Sequence, residues 1–215
     1  MSNKRMNKYI FIFICILIIS CRQTEIQPSK VKLIWEDNFD NEILNLNYWN
    51  IYSGNGCPEL CGFGNHELQY YTNDIKSINI KNGKLIISAY FDSLSKTFKS
   101  AKITSNGKVD FQTGYVEIVA QLPNAVGTWP AIWLLPSLNR SLNWPLDGEI
   151  DIMENVGYDS CKIFGTIHTK AYNHTNGTQK SDSIFILDAH QKFHTYALNW
   201  TDSVLEWYVD TILYN

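Results

Sequence analysis

Gly148-Glu149-Ile150-Asp151-Ile152-Met153-Glu154 alternates acidic and large apolar residues until its last step. Alternation with period two is the pattern of a strand whose two faces meet different surroundings. Strict alternation would put Glu149, Asp151 and Met153 on one face and Ile150, Ile152 and Glu154 on the other. Glu154 would then be driven into an apolar layer, where an unpaired carboxylate is strongly disfavoured. One extra residue, a β-bulge near Ile152-Met153, resets the phase and returns Glu154 to the face of the other two acids. The stretch therefore predicts a bulged strand, apolar on one side and lined by three carboxylates on the other.

The neighbouring sequence carries the same signal. Period-two or short apolar runs recur at 77–80, 84–90, 114–121, 131–135, 162–168, 194–200 and 204–209. Asn82-Gly83 and Asn106-Gly107 mark tight turns. No stretch of the domain shows a convincing 3.6-residue amphipathic pattern. Many short strands without crossover helices predict an all-β fold, antiparallel, with two packed sheets. The Asn-rich loop 172–180 is long enough to border a cleft. Residues 204–215 read as a strand, a turn at Asp210-Thr211 and the start of a further strand. An unpaired apolar edge is a liability, so the domain is expected to be incomplete at its C-terminus.

Composition narrows the class. The chain has 215 residues, 45% apolar and 18% charged, with 7 Trp, 12 Tyr and 10 Phe. Extended disorder and coiled coil are excluded. One domain with a sizeable core is expected. The formal net charge is −3. Without Lys4, Arg5 and Lys8 of the first 20 residues, 15 basic residues face 21 acidic ones. No basic stripe survives, which argues against nucleic-acid binding. Few charges and many aromatics suit a neutral polymer such as a polysaccharide.

The first residues read as an address. Lys4, Arg5 and Lys8 precede an unbroken apolar run from Ile10 to Ile19. As a helix that run rises about 15 Å, half of a ~30 Å hydrocarbon core, which fits a signal peptide over 1–20 and not a span. Ile18-Ile19-Ser20-Cys21 resembles the bacterial lipobox, with Cys21 the lipidated residue. Residues 21–30 then form a short tether and 31–215 the folded domain. The expectation is an exported, membrane-anchored bacterial lipoprotein, on the periplasmic side or the cell surface. Cys57-Pro-Glu-Leu-Cys61 could close a small disulfide loop. It could also be half of a zinc site, but no second Cys/His pair lies near in sequence. Cys161 is expected as a buried free thiol.

The acids themselves suggest a reaction. With a bulge, the Cα atoms of Glu149 and Glu154 lie roughly 13–15 Å apart at ~3.3 Å per residue. Inward-leaning side chains then bring the carboxyls to roughly 5–7 Å. This overlaps the spacing of retaining glycosidases and approaches the low end for inverting ones. Asp151 lies between them, and like charges raise at least one pKa, so one carboxyl can hold a proton near neutrality. A solvated acidic edge or a calcium ligand set is the bland alternative. Trp129, Trp133 and Trp144 surround the stretch, and exposed aromatic faces stack on sugar rings. Trp129 and Trp133, four residues apart, would share one strand face. Trp35, Trp200 and Trp207 are the core candidates. His168 could bond Asp151 or a sugar hydroxyl, or be structural.

Glu149-Ile-Asp151-Ile-Met-Glu154 resembles the catalytic signature of glycoside hydrolase family 16 in its laminarinase-like form. The segments 35–40, 64–72, 127–136, 144–157, 165–180 and 193–210 resemble further blocks of that family in order, 35–40 its first strand. The resemblance implies a β-jelly-roll sandwich with a concave cleft and retaining endo-hydrolysis of β-1,3-glucan (laminarin) or mixed β-1,3/1,4-glucan. It implies Glu149 as nucleophile, Glu154 as general acid/base and Asp151 as assisting carboxylate. Asn65, Trp129, Trp133, Trp144 and His168 match the sugar-binding positions. No cofactor is implied for the chemistry. A structural calcium would be in keeping with the family, but no residue pattern locates it. A monomer is expected. Tyr115 and Val119 stand where the family usually has arginines, and Phe63 where Trp is common. Two other readings compete. One is a same-fold hydrolase or transglycosylase on agar or carrageenan. The other is a non-catalytic glucan-binding module, which would need the aromatics but not two carboxylates in register.

Overall fold

The computed structural model describes residues 32–215. The signal peptide at 1–20, the lipidation site Cys21 and the tether at 21–30 lie outside the described residues. The chain divides into two compact units after Asp37. In the first unit, residues 32–37 form no strand and Trp35 is half-buried. The first strand expected at 35–40 is therefore not formed, because that segment joins no ladder.

In residues 38–215, two four-stranded antiparallel sheets carry the core. Their strands are β1 (Gly114–Ala120), β2 (Ala131–Leu134), β3 (Glu149–Asn155), β4 (Lys162–His168), β5 (Lys180–Phe185), β6 (His194–Trp200), β7 (Leu205–Val209) and β8 (Ile212–Leu213). One sheet runs β8-β7-β6-β1 and the other β5-β4-β3-β2. The chain passes from β1 into the second sheet, meanders through β2 to β5, and returns to complete the first. Ile152, Met153 and Ile163 of the second sheet pack against Tyr196, Leu198, Trp207 and Val209 of the first. Full burial of each aliphatic chain contributes about 2 kcal/mol. Trp207 is in this core and Trp200 packs against it.

The short strands Ile78–Ile80 and Leu85–Ile87 pair through Asn82-Gly83, both with positive φ, as a two-residue hairpin turn requires. The expected run 84–90 is broken at Ser88-Ala89. There the chain leaves the hairpin, and Tyr90–Asp92 pairs with Thr97–Ser100 instead. β5 was not expected as a strand, because Ser181-Asp182-Ser183 carries no apolar alternation. Its position at the sheet edge, exposed along most of its length, explains the polarity. Cys57 and Cys61 are joined in a disulfide, and Cys161 is a half-buried free thiol.

Gly165 of β4 packs directly against Trp207 and Tyr214. A Cβ there would sit 2.5 Å from Trp207 Cδ1 and 2.7 Å from the Tyr214 hydroxyl. The missing side chain lets the Trp207 indole lie against β4 and donate its Nε1–H to the Asp151 carbonyl at 2.8 Å. Gly165→Ala is expected to lower unfolding free energy by about 1–3 kcal/mol, as overpacking does, measured by urea denaturation. An unchanged midpoint would show that the sheets can part there without loss.

Candidate active site

β3 is the strand on which the site is built. Its register with β4 pairs Glu149 with His168, Asp151 with Thr166 and Glu154 with Phe164. The partners at 164, 166 and 168 alternate along β4 and share one face, so the three acids share it too. The count works only because the register shifts between Asp151 and Glu154 on one side and between Asp151 and Met153 on the other. This is the expected bulge at Ile152-Met153. Both of those side chains are buried in the core, so the extra residue is absorbed by the apolar layer.

Each glutamate is held by a tryptophan. Trp144 Nε1–H donates to Glu149 Oε2 at 2.6 Å. Trp129 Nε1–H donates to Glu154 Oε1 at 2.9 Å. Between them, Asp151 is only 3% exposed, and its Oδ2 has no hydrogen-bond partner. His168 Nε2 lies 3.4 Å from that oxygen. Glu149, Asp151 and His168 offer ligand atoms within 4.8 Å of one another, the one such group of His, Cys, Asp and Glu side chains among the described residues. Hence no separate cluster of these side chains marks the calcium expected from the resemblance.

Crowding three carboxyls into half-buried surroundings resists their ionisation. Burial first, and then the charge of Asp151, push Glu149 up to about 7, against the opposing pull of His168 and the Trp144 N–H. Burial first, and then Glu154, push Asp151 up to about 7. Glu154 is raised by burial too, opposed by the Trp129 hydrogen bond. The strand can thus hold both ionised and protonated carboxyls near neutral pH.

The other expected residues are placed unequally. Trp133 lies opposite Asp151 on β2 and shares its face. Trp129 is not on that strand: β2 begins at Ala131, and Trp129 lies in the preceding loop, 65% exposed. The expected shared strand face of Trp129 and Trp133 is therefore corrected, because Pro130 intervenes and cannot donate to a ladder. Asn65 is exposed just after the turn Cys61–Gly64, its backbone N–H on the Gly62 carbonyl at 3.0 Å. No hydrogen bond joins it to the acids among the described residues.

Three groups escaped the sequence reading. Lys102 Nζ sits 4.6 Å from the Trp133 ring centroid, 5.0 Å from Phe63, 5.2 Å from Tyr52 and 6.0 Å from Tyr71. Burial lowers its pKa, while Glu67 and Glu149 raise it. This aromatic box around an ammonium is assembled from four separate segments, which no local pattern reveals. Glu67 accepts from the Tyr71 hydroxyl at 2.9 Å and from Gln69. His174 lies 4.7 Å from Trp144 and 5.2 Å from His168, ring to ring. Its loop is held by the buried Asn173, whose side-chain amide donates to the Thr169 and Lys170 carbonyls at 3.1 and 3.3 Å. The expected cleft-bordering loop therefore reaches the acidic cluster through His174.

The chain is similar to known proteins. The Beta-glucanase of Rhodothermus marinus is 42% identical over 85% of this chain and 64% of its own length. Glucan endo-1,3-beta-glucosidase A1 of Niallia circulans is 35% identical over 84% of this chain, but only 28% of its own. The chain thus spans less than two thirds of either relative. The crystal structure of the laminarinase from Rhodothermus marinus superposes with a TM-score of 0.80 at 42% identity, covering 86% of this chain and 73% of that one. It confirms the β-sandwich of jelly-roll type. The family model of glycosyl hydrolases family 16 matches residues 62–215, which include both indole-held glutamates, the bulge that aligns them and the His174 loop. By that match and by its fold, the chain belongs to glycosyl hydrolases family 16.

Proposed function

We propose that the domain cleaves β-1,3-glucan, or mixed β-1,3/1,4-glucan, internally and with retention of anomeric configuration. The observation that carries this reading is the pair Glu149 and Glu154 on one face of the bulged strand, each fixed by its own indole N–H. The protonated Glu154 gives its proton to the glycosidic oxygen as that bond to C1 breaks. The Glu149 carboxylate attacks C1 and forms a glycosyl ester. Glu154, now ionised, takes a proton from water, whose oxygen attacks C1. The ester bond breaks and Glu149 leaves as a carboxylate. Asp151 stands beside both acids and keeps their proton affinities high enough for this exchange. Trp133 and the indole faces around the acids offer stacking surface for sugar rings.

The test is reducing-sugar release from laminarin, mixed-linkage glucan and agarose, with the first product's anomer read by proton NMR. Turnover of laminarin with initial β-anomer is expected. Cleavage of agarose alone, or an initial α-anomer, would overturn the reading.

A further inference from the structure

The loop that carries Trp129 is clamped to the end of β3. Gly157 N–H donates to the Thr128 carbonyl at 2.8 Å, and Asn155 N–H to the Pro130 carbonyl at 3.2 Å. Thr128 closes the loop on itself, its Oγ1 donating to the Ala125 carbonyl at 2.7 Å. No side chain fits at Gly157: a Cβ there would lie 2.1 Å from the Ala125 carbonyl oxygen and 2.8 Å from Thr128 Oγ1. The sequence thus holds the two neighbours of Trp129 against Asn155 at the end of β3 and Gly157 at the start of the turn that follows it. Trp129 itself remains mostly exposed. Its one fixed polar contact is the N–H bond to Glu154 Oε1.

We infer that Trp129 is a positioning residue for the general acid: its indole N–H fixes Oε1 of Glu154 and so assigns the catalytic proton to Oε2. This rests on the proposed hydrolysis, and it goes beyond a stacking role for the ring. A carboxyl can present its proton from either oxygen and through rotation about its last bond. A clamped donor on one oxygen removes that freedom. The donor also favours the ionised form. Other groups that act on Glu154 are Glu149 and Asp151 on its own strand and His168 on β4. None of them comes from the Trp129 loop, so a change at Trp129 leaves their fields in place.

The experiment compares the full chain with Trp129→Phe on two substrates. Laminarin needs protonation of its leaving group. A 2,4-dinitrophenyl β-laminaribioside does not, because dinitrophenolate leaves unaided. Phenylalanine keeps an aromatic face for a sugar but loses the N–H. The alkaline limb of kcat/KM on laminarin should move up by about half to one pH unit, since Glu154 loses a bond that favours its anion. Turnover of laminarin should fall roughly tenfold, while the rate of the first-turnover dinitrophenolate burst, which precedes the step that needs Glu154 as a base, stays within about twofold. A raised KM with an unmoved limb, or equal losses on both substrates, would overturn the proposal and leave the ring as a sugar platform. Gly157→Ala should push the loop off β3 and move the limb the same way. Should that variant not fold, Trp129→Phe decides alone. Glu154→Gln separates the two readings. Loss of laminarin cleavage with a retained dinitrophenolate burst upholds the acid on which the inference rests. Unimpaired laminarin cleavage would remove that acid whatever Trp129 does.

Discussion

Glu149→Ala is expected to lower laminarin hydrolysis by at least about 10⁴-fold, and azide should restore cleavage of an activated β-laminaribioside as the α-glycosyl azide. The reason is geometric. In the proposed mechanism the carboxylate reaches C1 from the face opposite the leaving group, and truncation leaves a space from which a small anion can attack. One displacement replaces two, so configuration inverts. Glu154→Ala should behave differently. An activated leaving group still departs, the ester on Glu149 forms, and azide attacks it from the other face to give the β-glycosyl azide. Exchange of the two anomers between the variants would exchange the roles. The pH profile adds a constraint. In the proposed mechanism Glu149 must be ionised to attack, and its pKa is pushed up to about 7 by burial and then by Asp151. Activity of the unmodified protein should therefore fall as pH drops below about 7. Absence of rescue in both folded variants would sink the double-displacement mechanism.

The acidic strand was legible because two demands on it conflict. Period two sends Glu154 inward, and the cost of a buried carboxylate sends it back. Only an extra residue satisfies both, and the register of β3 with β4 and β2 shows it at that place. β4 and β6 were legible to the residue, since each is a central strand with an apolar face against the core. The polar edge strand β5 was not, because an edge needs no alternation. The tryptophans were found as residues but their contacts were not. Trp129 and Trp144 offered ring faces to the reader of the sequence, whereas the fold uses their N–H groups on the carboxylates. Lys102 and His174 were invisible for a further reason. A lysine ringed by Tyr52, Phe63, Tyr71 and Trp133 exists only after distant segments meet, and each member alone is ordinary.

Asp151→Asn should make the protein more stable at pH 8 and less active there, two opposite effects from one lost charge. The side chain is 3% exposed, its Oδ2 has no hydrogen-bond partner, and His168 Nε2 stands 3.4 Å away. Burial and then Glu154 raise its pKa from 3.8 to about 7. A carboxyl whose folded pKa exceeds its unfolded one binds more protons in the folded state between those values, so stability falls as pH rises through that window. The penalty is absent below about pH 4 and complete above about pH 7 to 8. Three pKa units correspond to about 4 kcal/mol, and sharing the shift among the three acids leaves roughly 1.5 kcal/mol to this residue. Asparagine keeps the shape and removes the charge. For a domain of this size the gain amounts to about 4 °C in Tm at pH 8, and it should shrink toward zero near pH 4, where Asp151 is protonated in the folded protein and close to half protonated in the unfolded chain. Activity moves the other way. Without the Asp151 charge both Glu149 and Glu154 ionise at lower pH, so the acid loses its proton and the whole bell-shaped profile of kcat/KM shifts downward. At pH 8 the loss should be at least about tenfold. Calorimetry at the two pH values and one pH–rate profile check all of this. A Tm that falls at pH 8 would mean that the surroundings of Asp151 favour its carboxylate instead of opposing it. The strain held at this position would then be absent, and with it the reason for reading the strand as destabilised for catalysis.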